Sequence, residues 1–282
     1  MTYISSILMG ILQGVAEFLP ISSSGHLALF QHFFGAENYE ETQMFFTVLL
    51  HLGTLISVFV YYWRDIVDMV REFFSMVADI FSGKRRYGNA APSPARRMVL
   101  LIIAATLPLF VILPIKDLVE EAMNSVFFVS IALLVTGFLL FFSDRMARGR
   151  KTAKTATVTD ALLVGCAQAV GTLPGISRSG ITISAGLLRG YERNFAVRFS
   201  FLMSLPAVLG ANILTLKDAV AAETVDLSLM PVYLVGMAVA AVVGYFAIRL
   251  VNLLASKGKF GAFAYYCWAV GLVSLVAGFV VK

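Results

Sequence analysis

The sequence predicts an all-α integral membrane protein. It should have six transmembrane helices plus two re-entrant helix-loop-helix segments, in an inverted-topology repeat. Three observations carry this. The first is composition: of 282 residues, 59% are hydrophobic and only 14% charged, with a mean hydropathy of +0.84. Soluble domains have about 25% charged residues, so a disordered chain is excluded and a soluble enzyme is disfavoured. The second is a series of long apolar stretches. The third is a short polar motif that occurs twice.

A helix needs about 20 residues to cross about 30 Å of hydrocarbon. Six stretches qualify: 44–63, 97–115, 126–143, 197–215, 230–249 and 262–281. Pro108 and Pro206 fall inside two of them, which membrane helices tolerate when neighbours re-satisfy the backbone. Residues 5–34 and 159–189 are apolar but interrupted. Each half has about 12 residues, about 18 Å of helix, too short to span. Each region reads as helix, loop, helix, entering and leaving on one side. A bent backbone at that depth must be satisfied by protein or by a water-filled cavity. The first basic residue is Arg64, so the leading apolar residues are expected in the mature fold rather than in a secretory signal. Cys166 and Cys267 sit in apolar stretches and are expected as buried thiols, without a disulfide.

Charge sets the expected topology. The net charge is +5, but its placement matters more than its sum, and no nucleic-acid partner is expected. Segment 64–97 reads as a loop with seven Lys/Arg: Arg64, Arg71, Lys84, Arg85, Arg86, Arg96 and Arg97. Segment 144–158 has five, and 189–198 and 249–260 have three each. Glu37, Glu40, Glu41, Asp117, Glu120, Glu121, Glu223 and Asp226 lie on the opposite side, with Lys116, Lys217 and Lys282. The positive-inside rule makes the basic side cytoplasmic. Both termini then face outward. The first re-entrant segment enters from outside and the second from the cytoplasm. The whole chain, 1–282, reads as a single membrane domain: repeat one 1–143, a basic cytoplasmic linker 144–158, and repeat two 159–282.

The repeat is direct. Residues Gly10–Gly25 align without a gap on Gly165–Gly180, matching Gly10/Gly165, Gln13/Gln168, Val15/Val170, Ile21/Ile176, Ser22/Ser177, Ser24/Ser179 and Gly25/Gly180. Three spans follow each copy, and an odd number of crossings inverts one copy relative to the other. Inverted repeats carry their sites at the repeat interface near the midplane. The two loop tips should therefore meet inside the membrane.

Polar residues at that depth are functional candidates by default. The first loop offers Gln13, Glu17, Ser22, Ser23, Ser24 and His26. The second offers Gln168, Thr172, Ser177, Arg178, Ser179 and Thr182. Gln13 and Glu17 share a helix face. The carboxylate suits a metal ion or proton handling, against the plainer role of a polar seam. Ser22-Ser23-Ser24 begins a half-helix; one serine serves as a cap, and three exceed that need. Free N–H groups at a helix start attract phosphate. His26, three residues after Ser23, is a candidate base or nucleophile. Arg178, between Ser177 and Ser179, suits bidentate phosphate binding better than a structural ion pair. Two such tips would cradle two phosphates. His51 lies inside the first span, as a supporting group of the cavity. His32 reads as solvated, and the run Lys84-Arg85-Arg86 needs no role beyond topology.

Three stretches together carry a family resemblance. Gln13-Gly-Val-Ala-Glu17 looks like an (E/Q)-x-x-x-E motif, followed by the serine–histidine stretch Pro20-Ile-Ser-Ser-Ser-Gly-His26. Pro174-Gly-Ile-Ser-Arg-Ser-Gly-Ile-Thr182 looks like P-G-x-S-R-S-x-x-T. The chain resembles, over its whole length, the bacterial undecaprenyl-diphosphate phosphatases of the bacitracin-resistance type. The resemblance implies an enzyme of the bacterial inner membrane. It would hydrolyse undecaprenyl diphosphate to undecaprenyl phosphate, the lipid carrier for cell-wall polymers, and confer bacitracin resistance. It implies a divalent cation, Mg²⁺ or Ca²⁺. Because Gln13 stands where the motif also allows Glu, metal binding falls mainly to Glu17. The implied catalytic residues are Glu17, Ser23, His26 and Arg178. Gln13, Ser22, Ser24, Ser177, Ser179 and Thr182 would bind substrate. Ser23 or His26 would attack the terminal phosphorus, in a cavity open to the periplasm. Besides the polyprenyl diphosphate and membrane lipids, a homodimer is left open as a partner. The rival reading is a secondary transporter or flippase of polyprenyl phosphate or another anion, since broken helices in inverted repeats also build carriers.

Overall fold

The structure, a computed structural model, describes residues 1–34, 39–82, 91–221 and 227–280. Lys84-Arg85-Arg86, Glu37, Glu223, Asp226 and Lys282 of the charge argument lie outside the described residues. The helices are α1 (Tyr3–Ala16), α2 (Ser23–Phe34), α3 (Tyr39–Tyr61), α4 (Trp63–Ser82), α5 (Pro94–Thr106), α6 (Lys116–Glu121), α7 (Val126–Met146), α8 (Val158–Val170), α9 (Arg178–Leu188), α10 (Arg193–Ala221), α11 (Met230–Ser256) and α12 (Phe263–Val280). Among the described residues the only strand-like pairing is an isolated bridge between Lys151 and Tyr191.

Among the described residues six segments are long and apolar enough to cross a membrane: Met44–Tyr61, Pro94–Ile115, Val126–Met146, Arg193–Ala221, Met230–Ser256 and Phe260–Val280. They overlay the six expected stretches, and this is a multi-pass membrane protein. Pro206 sits inside α10. Pro108 falls where α5 passes into the 3-10 turn Leu107–Val111. The thiols are free; Cys267 is buried as expected, but Cys166 is exposed, facing outward from α8.

Segment 64–97 differs from expectation. Most of its first half is α4, a strongly amphipathic helix rather than a loop. Ile66, Met69, Val70, Phe73 and Phe74 recur at helical spacing against Asp65, Asp68, Arg71 and Glu72. That pattern suits a helix lying along an interface. A search for unbroken apolar runs passes over it.

The two interrupted regions each form a pair of half-helices. α1 breaks at residues 17–22 before α2, and α8 breaks at 171–177 before α9. Helix partners follow an exchange pattern. α1 packs on α11, and α8 packs on α5; α3 packs on both α10 and α11; α7 packs on α12. Taking α1/α8, α3/α10, α5/α11 and α7/α12 as counterparts, α1–α11 and α8–α5 are exchanged twins, as are α3–α11 and α10–α5, while α3–α10 and α7–α12 each join an element to its own counterpart. This fits the inverted repeat.

The matched glycines show why the seams close. A Cβ on Gly10 would stand 2.5 Å from the Gly236 carbonyl oxygen of α11, and one on Gly165 would collide with the Ala105 carbonyl of α5. The same aligned position lets each half-helix touch the other copy's second span. In lipid, such close backbone approach drives helix association, because there is no hydrophobic gain between apolar helices.

The basic ends of the helices are tied to the linker. Arg97 donates to the carbonyls of Ala153 (2.9 Å) and Ala156 (2.7 Å). Arg193 pairs with Asp144, whose other oxygen accepts from the Gly261 N–H at 2.8 Å. Asp160, with a side chain shut from solvent, takes Lys151 and Arg189, both at 2.8 Å. It also forms a capping box with Thr157. Burial alone would raise the Asp160 pKa, but these donors outweigh it and hold the carboxyl well below the usual range.

Candidate active site

The two loop tips meet. Gly25, at the start of α2, lies against Gly175, so a Cβ on Gly25 would come within 2.8 Å of the Gly175 Cα. Gly175 has φ +88° and its own missing Cβ faces the Val129 carbonyl. Thr136 of α7 holds this loop from behind, donating to the Gly175 carbonyl at 3.0 Å and accepting from the Ser177 N–H at 3.2 Å.

The two helix starts are built alike. Ser22 Oγ accepts from the Gly25 N–H, and Ser177 Oγ from the Gly180 N–H, both at 3.2 Å. Ser22 and Ser24 hydroxyls lie 3.5 Å apart, and those of Ser177 and Ser179 3.3 Å. The aligned serines therefore repeat a cap as well as a sequence. One asymmetry stands out: Ser22 has φ +66°, a left-handed backbone that costs a non-glycine residue of order 1 kcal/mol. Its carbonyl is held by His26, whose Nδ1–H donates to it at 2.8 Å.

A cavity of about 170 Å³ opens between the tips. Glu17, Ser22, Ser23, Ser24, Ser177, Arg178 and Ser179 all line it. At its floor Arg178 forms an ion pair with Glu17. The Glu17 side chain is 7% exposed and that of Arg178 28%, so the cation is the part presented to a ligand. Gln13 lies one turn before Glu17 and donates to it at 3.1 Å; it steadies the carboxylate without lining the cavity.

Besides Gln13, the candidates Thr182 and His26 stand outside the cavity wall. Thr182, a turn beyond Arg178, is buried. It donates to the Arg178 carbonyl at 2.8 Å and lies 2.6 Å from the Ser200 hydroxyl. His26 is not on the wall. With Nδ1–H given to Ser22, its Nε2 accepts from the Tyr266 hydroxyl at 2.8 Å, and the two rings stack. His26 sets the turn that carries Ser22 and Ser23.

His51 is more central than its lone position in a span suggested. Its Nδ1–H donates to the Thr47 carbonyl at 2.9 Å, which leaves Nε2 as the nitrogen free of the helix backbone. That nitrogen faces the cavity, 3.9 Å from Glu17. The sequence signal was an ionisable residue mid-span; which way α3 turns it is decided by packing against α10 and α11.

The arrangement is a small polar pocket with one presented guanidinium, two helix starts, six hydroxyls (those of Ser22, Ser23, Ser24, Thr172, Ser177 and Ser179) and one imidazole nitrogen. It suits a phosphate group, which takes charge-assisted bonds from arginine and helix N–H groups. The model of the bacitracin resistance protein BacA family matches residues 6–273. The chain belongs to the BacA family. Curated relatives agree along the whole length. One from Alkaliphilus metalliredigens, named undecaprenyl-diphosphatase, is 42% identical over 98% of both chains. Another of that name, from Methanosphaera stadtmanae, is 38% identical over 97% of each. The undecaprenyl-diphosphatase 3 of Bacillus cereus is 35% identical, covering 99% of this chain and 98% of its own. The BacA match takes in all of the cavity's residues and both half-helix pairs except the first three residues of α1.

As for a cation, Glu17 is the one carboxylate on the cavity wall, and one of its oxygens already holds Arg178. Among the described residues no three His, Cys, Asp or Glu converge. Magnesium commonly takes one or two carboxylates and completes its shell with substrate phosphates and water. Glu17 fits that limited part and no more.

Proposed function

We propose that this BacA-family protein hydrolyses undecaprenyl diphosphate to undecaprenyl phosphate and inorganic phosphate. This would return the lipid carrier to cell-wall synthesis and confer bacitracin resistance. The observation that carries the reading is the cavity itself: Arg178 and the serines of two facing helix starts around one space. Phosphoryl transfer is mostly positioning and electrostatics, and these residues supply both.

The terminal phosphate would draw Arg178 away from Glu17 and settle on the α2 and α9 N–H groups. Ser23, rather than His26, is the nucleophile, because Ser23 lines the cavity and His26 is committed to Ser22 and Tyr266. The Ser23 Oγ bonds to the terminal phosphorus as the bond to the bridging oxygen breaks, and His51 Nε2 takes the hydroxyl proton. Undecaprenyl phosphate leaves with the electron pair and needs no proton. A divalent cation, Mg²⁺ or Ca²⁺, would be held by Glu17 together with the diphosphate oxygens and would neutralise their charge. The half-helix pairs are re-entrant. The basic ends lie in the cytoplasm of a bacterial cell, both termini face outward, and the cavity opens to the periplasm. The exchange of helix partners supports a division into repeats at 1–143 and 159–282, joined by 144–158.

Phosphate release from undecaprenyl diphosphate by purified protein in detergent is the test, with Arg178→Ala as control and with chelator added. Release by wild type alone supports the reading. No release by folded wild type, with either metal, would shift it to the carrier, with the same residues acting as a binding site.

A further inference from the structure

Beside the Glu17–Arg178 pair, and sharing it with the main cavity, lies a second void. It is about 10 Å³, about the room that one water requires. Glu17, Arg178 and Ser179 wall both spaces, so the ion pair is the partition. The remaining polar wall is Gln168, Thr182, Ser200 and Ser204.

Gln168 is the anomaly. Its side chain is wholly buried, 0% exposed, yet neither its amide oxygen nor its amide nitrogen has a partner. Leaving each such group unpaired costs about 1–3 kcal/mol. Its repeat counterpart, Gln13, spends its amide on Glu17; in the second copy the residue at the place of Glu17 is Thr172, which donates to its own helix at Ala169. The hydroxyls beside Gln168 are also half-used. Ser204 donates to the Phe201 carbonyl at 2.8 Å. Thr182 donates to Arg178, so the Ser200 hydroxyl donates to Thr182. Both serines keep lone pairs that can accept.

We infer that this void is a site for a single water molecule, held by both ends of the Gln168 amide and by the Ser204 hydroxyl, and that this water completes the reaction. A cation is the poorer occupant: it would satisfy the amide oxygen alone and lie against Arg178. Water both donates and accepts, and so satisfies both ends of the amide. When phosphate draws Arg178 from Glu17, the partition opens and the stored water reaches the phosphoryl group on Ser23. Its oxygen bonds to phosphorus as the P–Oγ bond breaks. One water proton restores the Ser23 hydroxyl, the other stays on the departing inorganic phosphate, and His51 returns its proton to solvent. This step rests on the phosphatase reading. Gln168 acts in it as a positioning residue.

The test is Gln168→Leu in the full-length protein, with Ser204→Ala as a milder second variant. Rapid-quench measurement should show a burst of about one undecaprenyl phosphate per enzyme, then inorganic phosphate release slowed by about 10²-fold. Labelled phosphate should accumulate on Ser23, and Ser204→Ala should give a weaker version of the same pattern. Thermal unfolding should move down. A Gln168→Leu protein that melts higher would show a dry void whose unpaired amide was only a cost. Equal slowing of both products, without a burst, would overturn the water's role while leaving the phosphatase reading intact. Wild type that releases neither product would overturn that reading, and the step with it; the direction of the thermal shift would still decide whether the void is filled.

Discussion

Glu17 and Arg178, 161 residues apart in the chain, pair across the meeting point of the two half-helix breaks. The pair does two things that compete. At rest it neutralises both charges in a place where neither could stay alone. During binding it must open, because the guanidinium is the only cation on the cavity wall among the described residues.

Arg178→Lys keeps the charge but loses the planar fork that grips phosphate through two bonds. It is expected to fold and to lose about 10²- to 10³-fold in kcat, measured as phosphate release. Retention of most activity would mean that only charge is needed.

The two histidines should separate in kinetics. His51→Ala removes the imidazole nitrogen at the cavity and should cost about 10²- to 10⁴-fold. Tyr266→Phe removes only the outer partner of His26 and should cost less than about tenfold, because the bond from His26 to the Ser22 carbonyl survives. A larger loss from Tyr266→Phe than from His51→Ala would reverse these roles.

Ser22 combines a cap with a left-handed backbone. Ser22→Ala loses the cap and keeps the strain, so it should destabilise by about 1–2 kcal/mol. Ser22→Gly loses the cap but accepts the backbone, and should be close to neutral. Denaturation in a mild detergent would compare them.

Asp160 makes acid stability predictable. Its folded-state pKa lies below the unfolded value of about 4, so its stabilisation is complete above that value and fades as pH falls through and below it. Wild type should lose Tm steeply below pH of about 4. Asp160→Asn should melt lower at pH 7, and the gap should close in acid.

The spans were legible because twenty apolar residues in a row have one economical fate. The cradle was legible because serine and arginine at membrane depth are costly without a purpose. Two things were not. α4 hides in a segment whose charges suggest a loop, since its apolar residues come every third or fourth position. The directions of His26 and His51 depend on how α2 and α3 are rotated by their neighbours, which no spacing within the helix records. Gln168 was readable as a repeated residue, but its missing partner is visible only when everything around it is placed.

The seams at Gly10 and Gly165 have a consequence for how the molecule can be divided. Each copy of the repeat lends its first half-helix to the other copy's second span, as two people linked at the elbows each stand partly in the other's space. Neither half has a complete interior of its own. Cut in the linker, the halves should fail when expressed singly and rejoin when expressed together.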